Sequence, residues 1–211
     1  MYIPPAFNED RLDVLHDAIR RGGLATLVTM TADGLIASHL PLLLDPAAGP
    51  KGTLVGHLAR ANTQVAKTDP AVQAMVVFHG TEGYISPSLY ATKRETGKVV
   101  PTWNYIAIHA YGPLEFFDDA DRLLDVVTRL TDQYETPRAQ PWAVSDAPAD
   151  FVQGMLRAIV GVSIPIARLE GKVKMSQNRP MADHAGSIAG LAAEGRADLA
   201  GQVALAVAAK A

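Results

Sequence analysis

Four short segments of this 211-residue chain combine polar, cationic and aromatic side chains in patterns suited to binding a ligand. The first segment is Ser38-His39-Leu40-Pro41, a polar pair and a proline within an otherwise apolar run. Because proline cannot donate to a sheet ladder, one edge of this predicted strand must be free, covered or turned toward a ligand. A histidine that is hydrogen-bonded in the core beside an edge proline would explain the same pattern without a ligand.

The second segment, residues 56–62, lies where a predicted strand ends and a short helix begins, and its candidate ligands are His57, Arg60, Ala61 and Asn62. Asn62 suits a helix N-cap, and the free N–H groups at the start of a helix attract anions. The planar guanidinium of Arg60 suits a phosphate group. The segment therefore predicts a phosphate site, and the alternative is an ordinary capped helix with a surface arginine.

The third segment, Thr102-Trp103-Asn104-Tyr105, places two aromatic rings and two small polar groups at the start of a predicted strand. Such a mixture can pack on a flat ring and hydrogen-bond its edge. Core aromatic residues with satisfied polar atoms would give the same pattern.

The fourth segment, residues 172–180, carries two lysines, one arginine and three amide or hydroxyl side chains, and it ends at Pro180, which is placed to open a helix. Its candidate ligands are Lys174, Ser176, Gln177, Asn178 and Arg179. This composition makes it the segment of the chain best suited to an anion. A solvated loop is the alternative.

The composition argues against several other chemistries. The chain has no cysteine, so thiolate metal sites, disulfides and cysteine nucleophiles are excluded. The familiar glycine-rich phosphate loops and the HExxH and GxSxG motifs are absent, and the six histidines are scattered, so we expect no dedicated metal site. The formal net charge of −3 disfavours direct DNA binding, because Lys and Arg that neutralise phosphates supply much of the affinity for DNA.

The rest of the sequence predicts the elements that position these segments. Asn8 is expected to cap a first helix, which carries Leu12, Leu15 and Ile19 at helical spacing. Apolar runs predict strands over residues 24–30, 35–44, 53–58, 72–79, 99–111, 114–117 and 159–169. Further helices are predicted over residues 62–68, 120–134, 150–158 and 181–193 and in an Ala-rich stretch to about residue 208, with a charged loop over residues 92–98.

Short connections and little βαβ alternation predict an α+β fold with a mostly antiparallel sheet, which at this size can close into a small barrel. No shift in composition marks a boundary, so residues 1–211 are expected to form one domain with an Ala-rich helical tail after about residue 191. The N-terminus lacks the features of a signal peptide, and no apolar run is long enough for a membrane helix. We therefore expect a cytoplasmic protein with no membrane contact.

Six motifs occur in order between residue 1 and about residue 191: MYIPPAF, ATLVTMTADGLIASHLPLLLD, GHLARANTQ, YISPSLYATKRETGKVVPTWNY, PWAVSDAP and LEGKVKMSQNRP. Together they resemble the PaiB family of FMN-binding proteins, also described as FMN-binding negative transcriptional regulators. The resemblance implies a split β-barrel of mostly antiparallel strands with peripheral helices, like that of the pyridoxine-phosphate-oxidase group. It also implies a homodimer that holds FMN in a groove at the subunit interface.

The same resemblance implies roles for the four segments. Residues 38–41 would contact the isoalloxazine ring, chiefly through backbone groups, and residues 57–62 would bind the phosphate. The third and fourth segments would close the site from the partner chain.

Three functions stay open on the sequence. The first is a negative transcriptional regulator that acts through bound flavin or a protein partner. The second is a flavin-dependent oxidoreductase on a small substrate, in which the flavin carries the reaction and the protein supplies binding and orientation. The third is a haem-binding or haem-degrading split barrel. Whether the chain is an enzyme stays open as well, because no side chain in the sequence must be a catalytic acid or base.

Overall fold

The computed structural model describes residues 1–209. Its helices are α1 (Leu12–Arg21), α2 (Thr63–Lys67), α3 (Ala91–Thr96), α4 (Ala120–Glu135), α5 (Ala149–Arg157), α6 (Met181–Ala193) and α7 (Ala197–Ala208). Its strands are β1 (Asn8–Glu9), β2 (Ala25–Thr31), β3 (Gly34–Leu40), β4 (Leu43–Asp45), β5 (Thr53–Ala59), β6 (Ala74–Ile85), β7 (Thr102–Gly112), β8 (Glu115–Phe117), β9 (Ile159–Pro165) and β10 (Arg168–Lys174). Residues 210–211, the end of the expected Ala-rich tail, lie outside the described residues.

These elements form two compact units, each built from separate stretches of chain. Unit 1 contains Met1–Leu15, His79–Ile108 and residues 170–209, whereas unit 2 contains His16–Phe78 and His109–Leu169. The long strands β6 and β7 each begin in one unit and end in the other.

Unit 2 contains two antiparallel sheets. In the first, β2 pairs with both β3 and β6. In the second, the order is β4-β5-β9-β8, and one face packs against the amphipathic helices α4 and α5. That core contains Leu43, Phe117, Leu123, Val126, Leu130 and Leu156. Gly161 lies opposite Phe117, and a Cβ at residue 161 would clash with the Phe117 ring, so this position requires glycine.

Unit 1 contains strands in the order β1-β10-β7-β6, with α6 and α7 packed on them. The core of this unit contains Ile85, Tyr90, Met175, Leu191, Leu199, Ala200 and Val203. Gly186 and Gly190 lie one turn apart on α6, and a Cβ at either position would clash with Leu89. These two glycines therefore allow α6 to approach the turn at Pro87–Leu89 closely.

The structure corrects several expected elements near proline and at strand ends. Asn8 does not cap α1; it lies in β1 opposite Lys172, and the helix begins at Leu12. Residues 35–44 form two strands, because the ladder breaks at Pro41 and the chain continues as β4 in the second sheet. Residues 159–169 likewise divide between β9 and β10.

Other elements are longer or of another type than the sequence pattern predicts. The strand expected over residues 72–79 extends to Ile85, and most of the expected loop at residues 92–98 is helix α3. Lys172 and Lys174 belong to β10 and not to a loop. The predicted helices over residues 120–134 and 181–193 are confirmed nearly to the residue. Of the helices in the described part of the chain, none is both long and apolar enough to cross a membrane.

Candidate functional site

One face of the β6-β2-β3 sheet in unit 2 is open to solvent and largely apolar. The register places eight exposed or half-buried residues on it, in rows of three, three and two: His39, Thr26 and Val77; Ala37, Val28 and Met75; Leu35 and Met30. Directly opposed residues share a face of a sheet. We call these eight residues the open sheet face. An apolar face of this kind suits an interface or a flat ligand.

The first predicted segment is divided between the two sides of this sheet. His39 lies on the open sheet face, where its Nδ1 is 3.0 Å from Thr26 Oγ1. Ser38 points to the opposite side, and Leu40 is buried in the core. Pro41 follows the end of β3. Of the four side chains, only His39 therefore reaches the open sheet face.

Ser38 and Asn62, from two predicted segments, are brought together in unit 2. Asn62 Nδ2 donates to Ser38 Oγ at 2.8 Å, and Asn62 Oδ1 accepts from Gln64 N at 2.9 Å. The predicted N-cap is therefore confirmed. The cap occupies one of the N–H groups that the predicted phosphate site would use, and α2 has only five residues. Ala61 is exposed beside it.

Arg60 joins the end of β5 to neighbouring chain segments. Its Nε donates to Arg157 O at 2.8 Å, its Nη2 donates to Ile159 O at 2.9 Å, and Nη2 also lies 2.7 Å from Asp118 Oδ1. Within residues 1–209, Nη1 is the guanidinium nitrogen without such a contact. The prediction that Arg60 holds a phosphate stays untested.

His57 lies on β5 opposite Gly161. Burial lowers the pKa of His57 below its ordinary value, so the imidazole is neutral at pH 7. Its Nδ1 is buried and has no hydrogen-bond partner within residues 1–209. An unpaired buried nitrogen is costly, which keeps His57 a candidate for a polar ligand contact.

In unit 1, lysines and aromatic rings meet on β10 and β7. Lys174 Nζ donates to Trp103 O at 2.7 Å and to Thr102 Oγ1 at 2.5 Å. It lies 5.7 Å from the ring centroid of Tyr105, and Lys172 Nζ lies 5.2 Å from the same ring. Residues two apart on a strand share a face, so Lys172 and Lys174 lie on one side of β10, as Trp103 and Tyr105 do on β7.

Two further tyrosines extend this surface. The rings of Tyr84 and Trp103 meet edge to face with centroids 6.3 Å apart, and the two residues are 50% and 54% exposed. The ring of Tyr2 lies 5.7 Å from Lys172 Nζ, and Tyr2 O accepts from that nitrogen at 3.2 Å. We call Tyr2, Tyr84, Trp103, Tyr105, Lys172 and Lys174 the lysine–aromatic face. Its exposed rings suit stacking against a flat ligand.

The cations in this part of unit 1 lack acidic partners. Within residues 1–209, no ion pair includes Lys172, Lys174 or Arg179. Arg179 instead places its guanidinium 4.6 Å from the ring centroid of Tyr90. Burial lowers the pKa of Lys174, and the charges of Lys172 and Arg179 also lower it, whereas Tyr105 acts in the opposite direction. An anion would relieve this repulsion between like charges.

Asn104 and Ser176 face the interior of unit 1. Ser176 Oγ donates to Asn104 Oδ1 at 3.0 Å, and Ser176 O accepts from His184 Nε2 at 2.9 Å. Ser176 has a φ of +64°, which is uncommon for a residue other than glycine. Asn104 Nδ2 is buried and unpaired within the described residues. Both residues therefore support the turn after β10 from inside.

The remaining predicted residues lie in that turn. Gln177 folds back on the chain: its Oε1 accepts from Met175 N at 2.7 Å, and its Nε2 donates to Val173 O at 2.6 Å. Asn178 is exposed. Among the side chains of the fourth segment, Lys172, Lys174 and Arg179 are thus the ones placed to meet an anion.

Sequence reasoning missed Lys172, Tyr84 and Tyr2 as candidate ligands. A signal for Lys172 was present, since Lys172 and Lys174 are spaced for one face of a strand. The sequence pattern assigns no strand to residues 172–174, so this spacing does not by itself indicate a shared face. Within residues 1–209, no group of three or more His, Asp or Glu residues is arranged to hold a metal ion.

The residues present fit FMN in two respects. The unpaired cations Lys172, Lys174 and Arg179 match a phosphate group, and the exposed rings of Trp103 and Tyr84 match a flat ring system. When bound, FMN would supply redox chemistry that no side chain of this chain supplies.

Comparison with known proteins identifies the family. A family sequence profile described as "Putative FMN-binding domain" matches residues 1–168. Uncharacterized protein AN0679 of Emericella nidulans is 34% identical over an alignment of 225 positions, and the alignment covers 90% of this chain and 90% of that protein. Protease synthase and sporulation protein PAI 2 of Bacillus subtilis is 30% identical over 184 residues, which cover 87% of this chain and 86% of that protein.

Solved structures share the fold at low sequence identity. Conserved hypothetical protein Rv2991 from Mycobacterium tuberculosis matches with a TM-score of 0.60 and 12% identity, over 85% of this chain and 94% of that chain. Flavocytochrome Anf3 from Azotobacter vinelandii matches with a TM-score of 0.58 and 14% identity, over 85% of this chain and 75% of that chain. The expected α+β split-barrel class with antiparallel sheets and peripheral helices is confirmed.

The profile match and the two relatives agree with the motif order in the sequence. The cofactor expected from that order, FMN, is confirmed by the profile match. The chain belongs to the PaiB family of FMN-binding proteins.

Proposed function

We propose that this FMN-binding protein is a negative transcriptional regulator whose effect depends on bound flavin. Two observations support the proposal: the lysine–aromatic face suits an anionic ligand with a flat ring, and the chain belongs to an FMN-binding family. The relative PAI 2 carries a name that refers to protease synthesis and sporulation. Because the net charge is −3, the regulator acts through a protein partner and does not bind DNA directly.

The regulator works as a homodimer with FMN at the subunit interface. The open sheet face supports this part of the proposal, because Leu35, Ala37 and Met30 expose apolar surface that a second copy would cover. In the dimer, backbone groups of residues 38–41 contact the flavin ring from one copy. The segment Thr102-Trp103-Asn104-Tyr105 and the cations near residue 174 contact the flavin from the other copy.

A flavin-dependent oxidoreductase is the second candidate. The half-exposed rings of Tyr84 and Trp103 favour it, because they leave the aromatic surface open to a second, small ligand. In that case, the chain binds and orients the flavin and substrate, and the flavin carries the electrons.

The first experiment measures flavin binding and its consequence for transcription. The purified protein is titrated with FMN and followed by flavin fluorescence, and its oligomeric state is measured by light scattering. Transcripts are then compared between a strain that lacks the gene and strains that carry either the wild type or Trp103→Ala. Loss of repression in both the deletion strain and the Trp103→Ala strain, together with weaker FMN binding by the Trp103→Ala protein in the titration, supports flavin-dependent regulation.

Other results would redirect the assignment. Unchanged transcripts, together with substrate-coupled reoxidation of reduced FMN by the purified protein, would favour the oxidoreductase. Tight binding of a promoter fragment with a steep salt dependence would contradict the argument from net charge. An intense Soret band in the purified protein would point to haem.

A further inference from the structure

We propose that the outer face of α5 in unit 2 is a second self-association surface, at which two copies of this chain meet through antiparallel α5 helices. The surface shares no residue with the open sheet face, so it is separate from the dimer interface of the proposed function. A protein that uses both surfaces forms a tetramer, in which two dimers are joined by α5.

The outer face of α5 is apolar, although it lies at the surface of unit 2. The inner face packs on the core through Leu156, which is 4% exposed, and Val152. On the outer side, Phe151 is 55% exposed and Met155 is 51% exposed, and Ala158 is exposed beside them. Residues three, four and seven apart share one face of a helix. A surface helix normally presents polar residues to water, so this apolar stripe suits an interface.

Two opposite charges lie along one edge of the stripe. Asp150 and Arg157 are both exposed and are seven residues apart, which places them on the same side of the helix, about 10 Å apart along its axis. They are too far apart to pair with each other. Within residues 1–209, neither side chain forms an ion pair.

These charges are complementary to a second copy of the same helix. In a two-fold contact, the same patch is used by both copies, and antiparallel helices bring the start of one opposite the end of the other. With the two-fold axis near Gly154, Asp150 lies opposite Arg157 of the partner subunit, and the reverse pair forms as well. Both charges are then paired while Phe151 and Met155 of the two copies cover each other. This self-complementary pattern identifies a second copy as the occupant.

The size of the stripe predicts a weak contact. A fully covered aromatic side chain buries about 150–250 Å², so the exposed halves of Phe151 and Met155 offer roughly 200 Å² per copy. A stable interface buries about 800 Å² per partner. We therefore expect an association that depends on protein concentration and reverses on dilution.

Sedimentation equilibrium of the purified protein from about 5 to about 500 μM tests the contact. The wild type should change from dimer to tetramer across this range. Asp150→Lys and Arg157→Glu each place like charges opposite one another twice, so each should weaken the association about tenfold or more. The double variant restores opposite charges and should associate within about threefold of the wild type. The control is Gln153→Lys, an exposed position of α5 that points roughly 160° away from Phe151 and should have no effect.

A mixture of the two single variants tests the antiparallel arrangement itself. When a copy with Asp150→Lys meets a copy with Arg157→Glu, the introduced lysine faces the introduced glutamate, and the native arginine faces the native aspartate. The mixture should therefore associate although neither variant does so alone. Because all substituted side chains are exposed, thermal unfolding should show that each variant is folded.

Three results would overturn the inference: a wild-type mass that does not change with concentration, an unchanged association in both single variants, or a mixture that associates no better than its components. A wild type that is monomeric at the lowest concentration and dimeric at the highest, with that change lost in Asp150→Lys, would contradict the dimer at the open sheet face and still support the α5 contact.

Discussion

Replacing Asn62 with alanine removes two interactions that join α2 to β3. The hydrogen bond from Gln64 N to Asn62 Oδ1, at 2.9 Å, is lost, and Ser38 Oγ loses the Nδ2 donor at 2.8 Å. An N-cap replaced by alanine costs about 0.5–2 kcal/mol, and a neutral hydrogen bond contributes about 0.5–1.5 kcal/mol. Because Asn62 is half-buried and water can replace part of these contacts, we expect a loss of about 1–2 kcal/mol in the free energy of unfolding.

Asn62→Asp is the matched control. Aspartate keeps the capping oxygen, and the Ser38 hydroxyl can rotate to donate to its second carboxylate oxygen. The free energy of unfolding of this variant should therefore stay within about 0.5 kcal/mol of the wild type.

Urea unfolding followed by circular dichroism measures these differences. The same experiment on Ser38→Ala and on the double variant gives the coupling energy between the two side chains, expected at about 0.5–1 kcal/mol. A coupling energy near zero, or Asn62→Asp as unstable as Asn62→Ala, would show that the side-chain contacts do not stabilise this junction.

Three further predictions concern the interface, the buried histidine and the strand packing. Ala37→Glu, in the middle row of the open sheet face, should convert the proposed dimer to monomers in light scattering, whereas Ala37→Ser should not. His57 has a folded-state pKa below its unfolded value, so the unfolded chain binds a proton first as the pH falls below about 6.5, and stability should decline with acid. Urea unfolding of His57→Gln between pH 7 and pH 5 should lack that part of the decline. Gly112→Ala would drive a Cβ into Pro165 O and should lower the free energy of unfolding by about 2–3 kcal/mol. By contrast, a Cβ at Gly154 on helix α5 would meet only Arg157 Nη2, at 3.9 Å, so Gly154→Ala should be neutral or slightly stabilising.

The spacing of apolar residues in the sequence predicted helices and strands best where only one face of the element is buried. Helix α4 carries its apolar residues at helical spacing, and its bounds follow from the sequence to within one residue. The N-cap at Asn62 was likewise predictable from the sequence, because a cap depends on contacts within a few residues. Asn8 suited a cap by type but lies in β1, since pairing with Lys172 outweighed its local preference.

The sequence by itself determined the family, the cofactor and the segments that carry polar and aromatic side chains, because these depend on residue identity and order. It could not determine which side of a sheet each side chain occupies. Ser38 and His39 are adjacent in sequence but lie on opposite faces, since successive strand residues alternate. Lys174 meets Thr102 across 72 residues of sequence. That contact requires β10 to lie beside β7, and only tertiary packing decides which strands are neighbours.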